Sequence, residues 1–274
     1  MPSKGSSTWT SSTDPPLSII VASNGAPGAL ESCLGLLESQ AGGAEVLVGE
    51  PSPSPDSLRE RFPFARFFAR PGALVPELWR DGIDASRGRI VALTISPMRP
   101  ADDWVATIHA QHEHREVVAG ALDPADDLRI GDWAEFFCRY SRDMLPFETH
   151  ECLDLPGDNA TYKRELLERT REVYRDGFWE PDVHRALRAE GVPLWHVPEL
   201  VVRQGRSAGV AAFTRQRLLH GRAYGGQRGA HFGVVRNLLG IIAAPAVPAL
   251  LTGRVGREVL AKRRLRGRLL AALP

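Results

Sequence analysis

The sequence predicts an α/β protein, a mixed and mostly parallel sheet flanked by helices, with a basic helical appendage at the C-terminal end. Three observations carry this. Short apolar runs, Leu17-Ser-Ile-Ile-Val-Ala-Ser-Asn24, Glu45-Val-Leu-Val48 and Arg89-Ile-Val-Ala-Leu-Thr-Ile-Ser96, recur with helical periodicity between them, the pattern of strands buried on both faces. The spacing of the first two, with leucines at 30, 34, 36 and 37 between, fits a βαβ unit. The formal charge of +1 conceals an asymmetry: from Arg203 onward there are 14 Lys/Arg and one acidic residue, Glu258. The totals of 34 and 33 then leave 20 basic and 32 acidic residues upstream.

Composition bounds the rest. With 274 residues, 43% hydrophobic and 24% charged, the chain suits one sizeable core and excludes collagen, coiled coil and wholesale disorder. Three cysteines at unrelated spacings, Cys33, Cys138 and Cys152, fit a reducing compartment and argue against a disulfide framework or a zinc site. Residues 1–16 are rich in Ser, Thr, Pro and Gly without an apolar core, so we expect a disordered leader rather than a signal peptide. The body is expected over residues 17–207 and the appendage over 208–274.

In chain order, the first strand ends in Ala22-Ser23-Asn24 and the second in Gly49-Glu50, side by side at one sheet edge. Pro51 to Pro63 reads as a loop or weak helix, Ala65 to Phe68 as a third strand and Leu74 to Ser86 as a helix. The Arg89 strand then turns polar and Pro-rich before a helix near Asp103. Trp104 to Glu113 is a helix ending in His112-Glu113-His114, whose two histidines do not share a helix face and so read as a polar end, not a metal site. Glu116 to Gly120 is the next strand. Aromatic residues at 133, 136, 137 and 140 form a core stripe. Leu155-Pro-Gly-Asp-Asn-Ala-Thr-Tyr-Lys-Arg164 reads as a turn, a short strand and a helix start. Gly177 to Gly191 contains a helix opening at Glu180-Pro181-Asp182, and Leu194 to Arg203 two closing strands.

Several of these segments resemble the family 2 glycosyltransferases of the GT-A type. The family reads roughly G-x-Y-V-A-F-L-D-x-D-x-x-P-x-x-D-W where this chain keeps Gly88, Val91, Ala92, Pro100, Asp103 and Trp104; its L-P-G-x-N-x-A-Y-R-R matches Leu155 to Arg164. The resemblance implies a GT-A fold over residues 17–204 and transfer of a sugar from a nucleotide-sugar to a hydroxyl acceptor, with inversion, on a cell-envelope glycan or glycolipid. It implies that Ala22, Ser23, Asn24, Glu50, Arg80, Asp81 and Ser96 border the nucleotide or donor. Asn159, Lys163 and Arg164 would touch donor or acceptor. Counted back from Gly191, the catalytic carboxylate falls on Glu180 and the second acidic position on Asp182. The family's metal-binding acidic residues fall on Ile95, Ser96 and Pro97, and its later His on Gln204, so no divalent metal and no other cofactor is expected.

The tail supplies a partner expectation. Phe213 to Tyr224 reads as an Arg-rich helix. Leu238 to Leu251 is an uncharged run of 14 residues, too short to span a bilayer and broken by Pro245 and Pro248. Arg254 to Leu270 interleaves Val255, Val259, Leu260 and Leu269 with Lys and Arg, the composition of a helix on anionic lipid. Residues 233–274 are thus expected to hold the chain on an anionic membrane surface, peripheral on its cytoplasmic face; packing against the body or a dimer partner is the alternative. Nucleic acid is not expected, because aromatic residues are sparse in the tail. A second reading from another class is a degenerate GT-A domain that binds a nucleotide or glycan without turnover.

Overall fold

The computed structural model describes residues 14–24, 26, 28–229, 242 and 244–272. Most of the expected leader, and Leu238 to Ile241 and Ala243 of the apolar run, lie outside the described residues.

β1 (Leu17–Ala22), β2 (Glu45–Glu50), β3 (Ala65–Ala69) and β4 (Ile90–Ile95) are parallel, in the order β3-β2-β1-β4. α1 (Ala29–Glu38), the short α2 (Asp56–Arg61) and α3 (Val75–Ala85) connect them. Every residue of β1 is buried, as a continuous apolar run in a helix-covered sheet requires. After β4 the chain makes the short β5 (Met98–Pro100), α4 (Trp104–His112) and β6 (Val117–Pro124), followed by α5 (Ile130–Tyr140). A two-residue β7 (His150–Glu151), then β8 (Asn159–Lys163), α6 (Arg164–Arg169), α7 (Glu180–Ala189) and β9 (Trp195–Gln204) complete a sheet of mixed direction. β8 inserts antiparallel between β4 and β6, while β9 lies parallel to β6 and antiparallel to β5.

Two differences from the sequence reading concern β9. It is one strand, not two, and its pairing with β6 jumps from Val197 opposite Gly120 to Val201 opposite Ala121. The side chain of Asn159 ties the resulting bulge: its Nδ2 donates to Leu200 O at 2.8 Å and to Ala121 O at 3.1 Å, while Trp104 Nε1 donates to its Oδ1 at 2.8 Å. Gly120 is required there, since a Cβ would run into the Leu200 carbonyl and lie 2.5 Å from Asn159 Nδ2.

The C-terminal segment folds as α8 (Val210–Gly229), α9 (Val247–Ala261) and α10 (Arg266–Ala272). Val259 is fully buried, and Val255, Leu265, Leu269 and Ala272 pack against the same core. Arg268 covers the Trp133 ring of α5, and Arg264 pairs through both nitrogens with Asp123 at 2.8 Å. This corrects one expectation: Val255, Val259 and Leu269, read as facing lipid, face the body, because the aromatic stripe of α5 offers them an apolar surface within the chain itself. Other apolar residues of the segment, including Leu250, Leu251 and Leu270, remain exposed. Among the described residues no helix is long and apolar enough to cross a membrane.

Candidate functional site

Parallel strands deliver their following loops to one edge, and here that edge opens into a cleft. Ser23 N–H donates to Gly49 O at 2.8 Å and Ser96 N–H to Ala22 O at 3.0 Å, so the ends of β1, β2 and β4 are stitched together. Ser96 Oγ in turn accepts from Asn24 N–H and donates to Asn24 Oδ1 at 3.0 Å. Ala22, Ser23, Asn24 and Ser96 are therefore brought together at this edge. Ser23 and Asn24 line a cavity of about 320 Å³ roofed by α8, with Arg215, Gln216 and His220 on its far wall. Two further cavities, of about 370 and 330 Å³, extend this space past Val75, Gln216 and His220 to Glu180.

Glu180 stands at the first turn of α7 and lines both of the inner cavities. Gly157 packs directly against it: a Cβ there would lie 2.5 Å from the Glu180 Cγ and 2.6 Å from its carboxyl carbon. The Leu155-Pro-Gly turn thus has a physical reason: only a residue without a side chain lets the backbone pass this close. Burial of the carboxyl, reinforced by the negative charges of Asp158 and Asp154, pushes Glu180 up to about 8 from the ordinary 4.5, against the opposing influence of its own backbone N–H and Arg139.

The carboxylates around it are already engaged. Asp158 accepts from Arg139 and from Tyr140 OH, Asp143 pairs with Arg142, and Asp154 with His184. Among the described cleft residues Glu180 alone keeps a carboxyl without a side-chain partner. His184 lies one turn after Glu180; it is fully buried and also meets Tyr162 OH at 2.8 Å, so it clasps the Asp154–Leu155 loop to α7. Trp179, just before Glu180, stacks obliquely with Tyr224 of α8 at 5.0 Å and edges His220 at 5.8 Å, closing the roof.

Other residues singled out from the sequence sit elsewhere. Asp182 is not in the cleft; it pairs with Arg185 at 2.9 Å on the outer side of α7. Glu50 is fully buried and both oxygens are taken, by Ser54 and by Arg59 at 2.7 Å. Arg80 and Asp81 bond to each other, to Arg70 and to Arg175 O, and neither lines the cleft. Asn159 is an interior stitch, fully buried with both amide hydrogens and its Oδ1 bonded within the fold, and does not present itself to a ligand. Lys163 and Arg164 are at the wrong edge: β8 runs antiparallel to β4, so Lys163 lies opposite Ile90 at the amino end of β4, and Arg164 binds Gly88 O at 2.6 Å. The resemblance to the family motif gave no strand direction, which is why these two were expected at the ligand.

Arg139, Asp158 and Arg217 were not singled out from the sequence. Asp158 is inside the Leu155 to Arg164 motif, and Arg139 shares a helix face with Glu135 four residues earlier, to which it bonds at 3.4 Å. Both were legible as polar residues bordering a recognised motif or an aromatic stripe. Arg217 could not be found this way, since nothing local brings α8 over the cleft.

Ile95, Ser96 and Pro97 do not fit a divalent cation, which takes several hard oxygen ligands, because the only side-chain oxygen there is a hydroxyl committed to Asn24. Among the described residues no group of three or more His, Cys, Asp or Glu could hold a metal. His112, the last residue of α4, is buried against Thr161 Oγ1 at 2.8 Å rather than facing solvent, and burial lowers it to about 4. His114 is exposed.

No family model and no curated protein matches the chain. Among solved structures, the crystal structure of residues 1–349 of S. aureus TarS is similar with a TM-score of 0.47 at 12% identity, over 66% of this chain and 60% of that one. The same TarS fragment in complex with UDP-GlcNAc gives a TM-score of 0.42 at 12% identity, over 58% and 48%. The chain thus matches less than two thirds of the TarS fragment.

Proposed function

We propose that the chain is a nucleotide-sugar-dependent glycosyltransferase that inverts the anomeric centre and works without a divalent ion. One observation carries the reading: a single cleft at the carboxyl edge of the parallel strands runs from Ser23 and Asn24 to Glu180, an unpaired carboxyl of raised basicity. The nucleoside lies at the Ser23 end, with Arg215 of α8 facing the diphosphate. Glu180 takes the proton of the acceptor hydroxyl as that oxygen bonds to the anomeric carbon. The bond from that carbon to the diphosphate breaks with its electron pair, and the nucleoside diphosphate leaves with its charge held by Arg215 and backbone N–H groups. One free carboxyl suits single displacement, in which one base is needed and no second nucleophile. Exposed leucines on a cationic tail support peripheral placement on an anionic membrane face.

A binding-only reading has its own support, since Glu50, the acidic residue expected at the ribose, is closed off by Ser54 and Arg59. Incubating the full chain with a panel of UDP-, GDP- and dTDP-sugars, with and without EDTA, and following nucleoside diphosphate release separates the two. Turnover unaffected by EDTA, lowered roughly 10²–10⁴-fold by Glu180→Gln and little changed by Asp182→Asn, is the expected result. Binding without turnover in every case favours the second reading. Loss of activity in Asp182→Asn with Glu180→Gln spared refutes the assignment of the base, and loss of nucleotide binding in EDTA refutes metal independence.

A further inference from the structure

The cleft has a second mouth. Beyond Glu180, away from Ser23 and Asn24, it opens where Leu251 and Arg254 of α9 form part of the wall and Arg217 of α8 reaches over it. Once Arg139, Arg142 and their carboxylate partners are set aside, two guanidiniums remain, those of Arg217 and Arg254, and neither meets a carboxylate among the described residues. Among the described residues, the guanidinium of Arg217 lies over the Phe213 ring of its own helix, at 5.5 Å. Partial desolvation and the positive charge of Arg139 hold Arg217 below the ordinary guanidinium range, outweighing the opposite pull of Tyr140 and Asp158, and a bound anion would relieve that crowding of cations.

Arg254 also ends a stripe. Val247, Leu250, Leu251 and Arg254 are spaced i, i+3, i+4 and i+7 on α9 and so share one face. That face is open, with Leu250 70% and Leu251 46% exposed. An apolar, solvent-open helix face leading to two unpaired guanidiniums at a cavity mouth matches a molecule with a hydrocarbon tail and an anionic head. Phosphate is the head that guanidinium forks hold best.

We propose that the acceptor is a phosphate-bearing lipid. Its phosphate sits between Arg217 and Arg254, its chains lie along Val247, Leu250 and Leu251, and a headgroup hydroxyl beyond the phosphate points to Glu180. The role as acceptor rests on the transferase reading; the binding does not.

The test reads binding alone. The full chain is titrated with three probes below their micelle thresholds: dihexanoyl phosphatidylglycerol, which has head and tail; dihexanoyl phosphatidylcholine, which has the tail without net charge; and glycerol phosphate, which has the head alone. The first is expected to bind at least tenfold more tightly than either other. Arg217→Gln with Arg254→Gln should erase its advantage over phosphatidylcholine, and Leu250→Ser with Leu251→Ser its advantage over glycerol phosphate. An unchanged thermal midpoint reports an intact fold; should the double Arg variant fail that control, Arg254→Gln alone, on an exposed helix face, takes its place with a several-fold loss expected. Equal binding by the Arg variant and the parent overturns the proposal. So does glycerol phosphate binding as tightly as the lipid, which would make the site one for soluble phosphate. Lipid binding without sugar transfer would defeat the transferase reading and leave this one standing, while transfer to a soluble glycan without lipid binding would do the reverse.

Discussion

Replacing Glu180 by Gln should stabilise the protein, and only at neutral to alkaline pH. The folded chain holds this carboxyl at about 8 against an ordinary 4.5, with burial the main cause. Because the folded state binds the proton more tightly, the contribution to stability is fully present below about pH 4.5. It is lost as pH rises through about 8, where the buried group must ionise. At ~1.4 kcal/mol per pH unit the gap corresponds to a ceiling of ~5 kcal/mol. The cleft is open to water on one side, which lowers the cost of charging the group, so we expect about 1–3 kcal/mol. Glutamine keeps the shape and cannot ionise. Urea denaturation of parent and Glu180→Gln at pH 5, 7 and 9 measures the difference directly. The variant should match the parent at pH 5, gain at pH 7 and gain most at pH 9. A difference that does not vary with pH, or a variant less stable at pH 9, refutes the claim that this carboxyl is held neutral by the fold. The same group should give turnover an ascending limb near pH 8, absent in the variant, since a base acts only when ionised.

Gly157→Ala should cost turnover about 10²-fold and stability about 1–3 kcal/mol, because the new methyl group displaces the Glu180 carboxyl; steady-state rates and a melting curve check both. Asn159→Ala should remove about 3 kcal/mol or more by stranding the Leu200 and Ala121 carbonyls and the Trp104 indole N–H, while leaving nucleotide affinity per folded molecule unchanged. A large loss of affinity with normal stability would return Asn159 to the ligand.

How much of this was legible follows from what each feature depends on. The buried strands Leu17–Ala22 and Ile90–Ile95 announce themselves because a strand covered on both faces must be apolar along its length. A helix start at Glu180 was legible because Pro181 suits a first turn, whereas the role expected of its carboxyl came only from the family resemblance, counted back from Gly191. Lys163 and Arg164 were misplaced because strand direction is a property of the sheet: β8 reverses against β4, and no residue within Asn159–Lys163 encodes that. Asn159 looked like a ligand contact because a buried polar side chain and a binding side chain have the same letter; only the bulge in β9, two strands over in the sheet and 41 residues on in the sequence, reveals what it bonds. Of the tail residues read as one apolar face, Val255, Val259 and Leu269 are covered and Leu260 is exposed; periodicity marks an apolar face without saying what covers it.

That last point bears on how the tail can be studied. Val259 is sealed in the core, Leu265 and Leu269 pack beside it, and Arg268 lies over Trp133. A chain cut short at residue 232 would not be the body without its anchor. It would carry a fresh wound, with the aromatic flank of α5 stripped of its cover and Asp123 bereft of Arg264. Such a protein would stick to vesicles, to column resins and to itself for reasons unrelated to its native surface. Deletion therefore confuses loss of a lipid contact with gain of adhesiveness, and point changes at Leu250 and Leu251, both exposed and neither part of the sealed core, are the cleaner instrument.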